Sequence, residues 1–324
     1  MMKRRQLLGA LGAAPLAAAV PAWAQGYPAR PIRIVVPLPP GSPPDVLARL
    51  VAERLQQAWK QPVIVDNRPG ATGMIGMDVV AKAAPDGYTV GVMFLTHAVL
   101  PALFGKVPYD TAADFAPIAN LVWLYNALVV PPTVPARSAK ELVELARAEP
   151  GKLTYASGGN GSPAHLLGES FRQLTRVDML HVPFKGPAEA VQALLGGYVT
   201  TMFATTSAAV PMVRTGKLHA LAVTSPNRLA ALPSVPTMAE SGVAGFDLRE
   251  WEGLVAPAGT PRDIILQWNQ ELARIMALPE LREKLSEYGM EAAPANSPDQ
   301  FATLVRSELQ RWTRFVKSSG LKAD

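Results

Sequence analysis

Two short phrases in this sequence have the residue types and spacing to do chemistry: Gly41-Ser42-Pro43 and Gly161-Ser162-Pro163. Each lies between an apolar run that reads as a strand (Ile32 to Val36; Leu153 to Ala156) and a run with helical spacing. Serine before a proline suits a helix entrance, because the hydroxyl can take up a free backbone N–H and the proline has none to leave unpaired. Asp45, three residues after Ser42, extends this to a capping-box-like pattern. A helix N-terminus preceded by glycines points N–H groups and the positive end of the helix dipole outward, which suits a carboxylate or phosphate. Each loop alone reads equally well as an ordinary βα turn. Two of them, one per half of the chain, suggest a cleft.

Other reactive constellations are sparse. The four histidines, His97, His165, His181 and His219, lack any short metal-ligand spacing, and no Gly-x-Ser-x-Gly elbow occurs. The Gly70-x-x-Gly73-x-x-Gly76 spacing is not that of a dinucleotide loop. Asp66-Asn67-Arg68 reads as an internal salt-bridged turn. The expectation is binding without chemistry: no catalytic residues, no metal and no cofactor. The contrasting reading is a hydrolase or isomerase with His165 or His97 as base.

The elements that must position these loops alternate along 324 residues, of which 49% are hydrophobic and 18% charged, enough for a large core divided in two. Strand-like and helix-like segments follow one another in the manner of a parallel sheet with crossover helices. Asn120 to Val130 and Trp251 to Ala256 read as extended strands crossing between domains, and helices follow over Pro261 to Ala277, Leu281 to Tyr288 and Pro298 to Val316. Residues 25–124 and 250–324 are expected to form a discontinuous first domain, with 125–249 inserted as a second. Two crossing strands make a hinge.

At the N-terminus, Met1-Met2-Lys3-Arg4-Arg5, an apolar stretch from Leu7 to Val20 and Ala22-Trp23-Ala24 make a secretory signal peptide over residues 1–24, cut after Ala24. Arg4-Arg5-Gln6-Leu7-Leu8 leaves twin-arginine export open beside the general route. Losing Lys3, Arg4 and Arg5 takes the formal charge from +5 to +2, and no Lys/Arg cluster marks a nucleic-acid surface. Cysteine is absent, which excludes disulfides, thiolate metal sites and a lipoprotein anchor. The expected product is periplasmic, free of the membrane, and a monomer.

Val65-Asp66-Asn67-Arg68-Pro69-Gly70-Ala71-Thr72-Gly73, Ala84-Pro85-Asp86-Gly87-Tyr88-Thr89, His181-Val182-Pro183-Phe184-Lys185-Gly186 and Trp251-Glu252-Gly253-Leu254-Val255-Ala256-Pro257-Ala258-Gly259-Thr260-Pro261 closely resemble the signature of the Bug family. These are the solute-binding proteins of tripartite tricarboxylate transporters. The likeness spans nearly the whole mature chain. It implies an α/β, two-lobed periplasmic binding protein fold of type II, closing like a flytrap on a small organic acid held largely by backbone amides, hydroxyls and water.

Carried over by position, the resemblance places ligand contacts at Leu38, Pro40, Gly41, Ser42 and Asp45, at Thr96 and His97, and at Ser157, Gly158, Gly159, Asn160, Gly161, Ser162 and His165. It adds Lys185 and the stretch Ala204, Thr205, Thr206. Thr96 and His97 also suit helix caps, and Lys185 a solvated surface. Family members usually carry an aromatic at position 38, a second glycine at 42 and an acid at 204; Leu38, Ser42 and Ala204 depart from this. Loss of the acid favours a plain mono- or dicarboxylate over an amino acid. The implied partners are inner-membrane subunits of a tripartite tricarboxylate-type transporter, or alternatively a periplasmic sensor domain.

Overall fold

The computed structural model describes residues 26–246 and 248–319; the expected signal peptide lies outside them. The chain opens β1 (Ile32–Val36), α1 (Pro43–Trp59), β2 (Val63–Asn67), α2 (Met74–Ala81), β3 (Thr89–Phe94), α3 (Leu95–Phe104) and β4 (Phe115–Leu124). It continues β5 (Asn126–Val130), α4 (Ala139–Ala148), β6 (Thr154–Ser157), α5 (Pro163–Thr175), β7 (Leu180–Pro183), α6 (Pro187–Leu195), β8 (Thr201–Thr205), α7 (Thr206–Arg214) and β9 (His219–Val223). It ends β10 (Glu250–Pro257), α8 (Arg262–Met276), α9 (Pro279–Glu287), β11 (Met290–Ala292) and α10 (Pro298–Ser319).

Two sheets result, ordered β11-β4-β10-β3-β1-β2 and β7-β6-β8-β5-β9. Neither is the parallel sheet the sequence suggests. β1 pairs in parallel with β2 and β3, and β6 with β7 and β8, but β10 runs antiparallel to both β3 and β4, and β5 antiparallel to both β8 and β9. Strands arriving from the other sheet enter against the βα units. The expected continuous strand from Asn120 to Val130 also breaks: Tyr125 separates β4 in the first sheet from β5 in the second. β10 lies wholly in the first sheet, reached from β9 through a stretch without helix or strand.

The registers fix which ends of the strands face the crossover. Glu252 of β10 stands opposite Phe94, the last residue of β3, and Asn126 of β5 stands opposite Thr205, the last of β8. The C-terminal ends of β1, β3, β6 and β8 therefore all point toward Tyr125, and α1, α3, α5 and α7 start there. Ligands of open α/β sheets gather at such strand ends.

The core is aliphatic and aromatic on both faces of the sheets. Trp251 and Phe301 meet edge-to-face, at 5.4 Å between ring centroids, where α10 covers β10. Trp268 of α8 is fully buried on the opposite face, against Trp59 at the end of α1. One contiguous apolar cluster joins Leu103 of α3 and Val305 of α10 to Leu166 and Phe171 of α5. The two sheets thus share packing as well as chain crossings. Ser297 and Gln300 close α10 with a reciprocal box, Gln300 N–H donating to Ser297 Oγ at 3.2 Å and Ser297 N–H to Gln300 Oε1 at 2.7 Å.

Candidate ligand-binding site

At the first Gly-Ser-Pro loop the expected cap is not made. Ser42 occupies the N-cap position of α1, but its hydroxyl donates to Pro39 O at 2.7 Å and accepts nothing from the helix. Asp45 reaches back one residue further than a capping box would, accepting from Gly41 N–H at 2.8 Å. Its buried carboxylate also accepts from Arg49 Nε at 3.0 Å and Asn67 Nδ2 at 2.9 Å, while Asn67 also donates to Leu38 O. Burial pushes the Asp45 carboxyl up, but the bonds from Arg49, Gly41 and Asn67 outweigh it and hold it below the usual carboxylate range. Ser42 N–H bonds Pro39 O, and Pro39, Pro40, Pro43 and Pro44 have no N–H at all. The donor-rich rim expected here is therefore a proline-stiffened turn whose amides at Gly41 and Ser42 are already spent. Pro40 and Gly41 are its exposed tip, with Gly41 at φ +82°.

The second loop is different. Gly161 has φ +75°, and its N–H donates to His165 Nδ1 at 3.0 Å. Gly159 N–H donates to Ser157 Oγ at 3.1 Å, and Ser157 Oγ lies 2.7 Å from His181 Nε2. His165 and His181 stack 3.9 Å apart with rings nearly parallel, and His181 stacks in turn on Tyr155. Ser162 again fails to cap its helix, and its buried hydroxyl has no partner among the described residues. Ser162 N–H bonds Gly159 O at 3.1 Å, so the Gly159, Gly161 and Ser162 amides are spent within this loop as the Gly41 and Ser42 amides are in the first, and the Ser162 hydroxyl is left over. Asn160 and Gly158 are half-buried, the latter close against Pro187. A Cβ on Gly161 would fall 2.7 Å from Leu103 Cδ1 of α3, so this loop abuts the first sheet's layer.

Thr96 and His97 are buried in the first turn of α3. His97 Nδ1 accepts from Phe94 N–H at 3.1 Å and its ring packs on Phe94. Burial pushes the imidazole down to about 3, so it is neutral and serves the helix entrance. Lys185 is exposed at the mouth of α6. Ala204 is buried in an apolar cluster with Ala127 and Met202, while Thr205 is half-buried. Thr206 N–H donates to Tyr125 O at 3.1 Å and its hydroxyl reaches Gly289 O at 3.3 Å, tying α7 to the crossover and to the α9–β11 turn.

Sequence reading passed over three polar residues at the crossover. Asn126 Nδ2 donates to Glu250 Oε1, a side-chain bond from one sheet to the other. Two residues on, Glu252 is only 4% exposed, and its Oε2 has no hydrogen-bond partner among the described residues. Burial pushes Glu250 up to about 7, and burial together with Glu250 raises Glu252 well above the usual range. The available signal was two acids at alternate positions of an otherwise apolar strand. Among the described residues no cluster of three or more His, Cys, Asp or Glu has the geometry to hold a metal ion, and no helix is long and apolar enough to cross a membrane.

Against known proteins, the model of the tripartite tricarboxylate transporter family receptor (TctC) matches residues 47–321. The chain belongs to this family. The chain is similar to the protein BugT of Bordetella pertussis, 36% identical over 328 residues and covering 99% of both chains. Rpa4515 of R. palustris, solved with adipate, matches with a TM-score of 0.82 at 34% identity, covering 91% of this chain and 99% of that one. MatC from Rhodopseudomonas palustris, solved with bound malate, matches with a TM-score of 0.78 at 33% identity, over 90% and 100% of the two chains. The two mixed sheets joined at Tyr125 are thus the periplasmic binding protein fold of the TctC receptors, a family of solute-binding proteins.

Proposed function

We propose that this protein is a periplasmic receptor that captures a small mono-, di- or tricarboxylate in the gap between two lobes, residues 25–124 with 250–324 and residues 125–249, and presents it to a tripartite tricarboxylate-type transporter. The observation that carries the reading is the convergence of four helix N-termini on one crossover, with the buried Ser162 hydroxyl unpartnered among the described residues at α5. Adipate and malate in two structural relatives are consistent with it. Export by the N-terminal leader, a monomeric state and action without catalysis complete the proposal.

A carboxylate touched by both lobes favours closure, because only contacts that differ between open and closed states shift their populations. The second lobe would offer the loop from Gly158 to His165 with its Ser162 hydroxyl, and the first a rigid wall at Leu38 to Ser42. Native mass spectrometry of protein freshly released from the periplasm, followed by calorimetry with the acid recovered, tests this. A small carboxylate that rebinds unaltered at a stoichiometry of one is the expected result; a chemically transformed acid, or rebinding that survives disruption of the Gly161 loop, would count against it.

A further inference from the structure

The partner of each ring nitrogen decides which of a histidine's nitrogens carries a proton. Gly161 N–H donates to His165 Nδ1 at 3.0 Å, so that nitrogen is an acceptor and His165 is the neutral tautomer with its proton on Nε2. A proton added to Nδ1 would point at the amide hydrogen and end the bond. His181, the neighbour of Tyr155 in the β6–β7 ladder, is placed differently. Its Nε2 lies 2.7 Å from Ser157 Oγ, which lies 3.1 Å from both the N–H and the O of Gly159. With the Ser157 hydroxyl donating to Gly159 O, its oxygen can accept from Gly159 N–H and from a proton on His181 Nε2 together. Protonating His181 therefore breaks no bond in the loop, and protonating His165 does.

The two rings stack 3.9 Å apart at an interplanar angle of 5°, so a charge on one opposes a charge on the other. The remaining titratable groups around them are matched elsewhere. Tyr155 stacks on His181 and donates its hydroxyl to Glu169, one turn along α5 from His165. Glu169 pairs with Arg172 at 2.7 Å, and Arg172 lies 3.6 Å from Asp178. Glu189 of α6 accepts from Lys185 N–H at the surface, Thr201 to Thr205 of β8 bring no titratable side chain, and α3 meets the loop through Leu103. We infer that the stacked histidines are positioning residues that divide their work by protonation: neutral His165 pins the loop at Gly161, while His181 holds Ser157 against Gly159 and takes the first proton the pair accepts. The Gly158–Ser162 loop is thereby kept in one conformation through mild acid, with the Ser162 hydroxyl left in place.

The consequence for ligand binding rests on the carboxylate-receptor reading, and the test separates the two. Long-range proton–nitrogen NMR spectra of the mature chain with labelled histidines, titrated from pH 8 to 5 without ligand and assigned with His165→Gln and His181→Gln, read the ring protons directly. The expected result is a His165 unprotonated on Nδ1 over the range in which His181 takes up its proton, with the Gly161 amide signal fixed over that range. A proton on His165 Nδ1 at pH 8, or a His165 that titrates before His181, overturns the inference whatever the protein binds. Calorimetry with succinate and glutarate reads the positioning. His165→Leu, which removes the acceptor, should weaken binding by about tenfold or more. His165→Asn, whose Oδ1 stands where Nδ1 does and takes no proton in this range, should recover most of that loss. Equal losses in the two variants would make His165 a space-filling residue and sink the assignment. Where the leucine variant does not fold, an asparagine variant weaker than wild type by about tenfold does the same. If neither acid binds the wild type, the receptor reading loses support, and the imidazole spectra still decide the roles of the two histidines.

Discussion

Gly161 shows how one residue can serve both the fold and the proposed site. At φ +75° a side chain is strained, and a Cβ would meet Leu103 of the other layer. Gly161→Val should destabilise the protein by roughly 1–3 kcal/mol and weaken carboxylate binding by more than about tenfold, or ~1.4 kcal/mol. Calorimetry and urea unfolding on the same preparation check both, and unchanged affinity would remove the loop from the site. Glu250 gives a pH signature. Its folded carboxyl holds a proton up to about 7, whereas the ordinary value is 4.5. Stability should therefore be full below that ordinary value and fall as pH climbs through about 7, by roughly 2 kcal/mol with allowance for partial exposure. Asp45 and Asp66, held low by their partners, contribute the opposite slope only in more acidic solution. Glu250→Gln should flatten the fall in unfolding measurements between pH 5 and 8; a slope matching the wild type would refute the assignment.

Among the elements, the β1–α1 loop is held by a side-chain network where an N-cap was expected. Asp45→Ala removes the acceptor of Gly41 N–H and the partner of Arg49 and Asn67, and should cost about 1.5–3 kcal/mol, the range for losing hydrogen bonds to a charged group. Ser42→Ala, which loses only a bond to Pro39 O, should cost well under half as much; chemical denaturation of the two variants decides, and equal losses would restore Ser42 as a cap. Two helices escaped the sequence reading for a physical reason. α3 and α7 carry Pro101 and Pro211 in their interiors, where proline ordinarily ends a helix. Both begin directly after a strand, with no side-chain cap from Thr205 at α7 and a histidine at the third position of α3 in place of a Glu or Gln. Their termini are positioned by the sheets, which sequence patterning does not record.

For the molecule as a whole, two sheets share an apolar cluster and are crossed by the chain at Tyr125 and again before Glu250, so a ligand bound between them, as proposed, would stabilise the entire fold. A carboxylate present at a hundred times its dissociation constant should add about 2.7 kcal/mol to the unfolding free energy. A thermal scan across ligand concentrations reads this as a rising midpoint. A midpoint that stays fixed while calorimetry reports binding would place the ligand where it is not coupled to the folded state.

The strands β1, β6 and β10, the long helices α1, α5, α8 and α10, and the family were legible in the sequence. Apolar periodicity, turn residues and the extended Asp66-to-Thr89 and Trp251-to-Pro261 motifs are local properties. Tertiary structure alone decided the rest. Strand direction in the mixed sheets, the breaking of the crossing strand at Tyr125, the spending of the Gly41 and Ser42 amides within their own loop, and the burial of Glu252 with no partner for its Oε2 among the described residues all depend on which segments meet across the sheets. A residue's type fixes what hydrogen bonds and charge it can offer. Only its neighbours in space determine whether these are already taken or remain for a ligand.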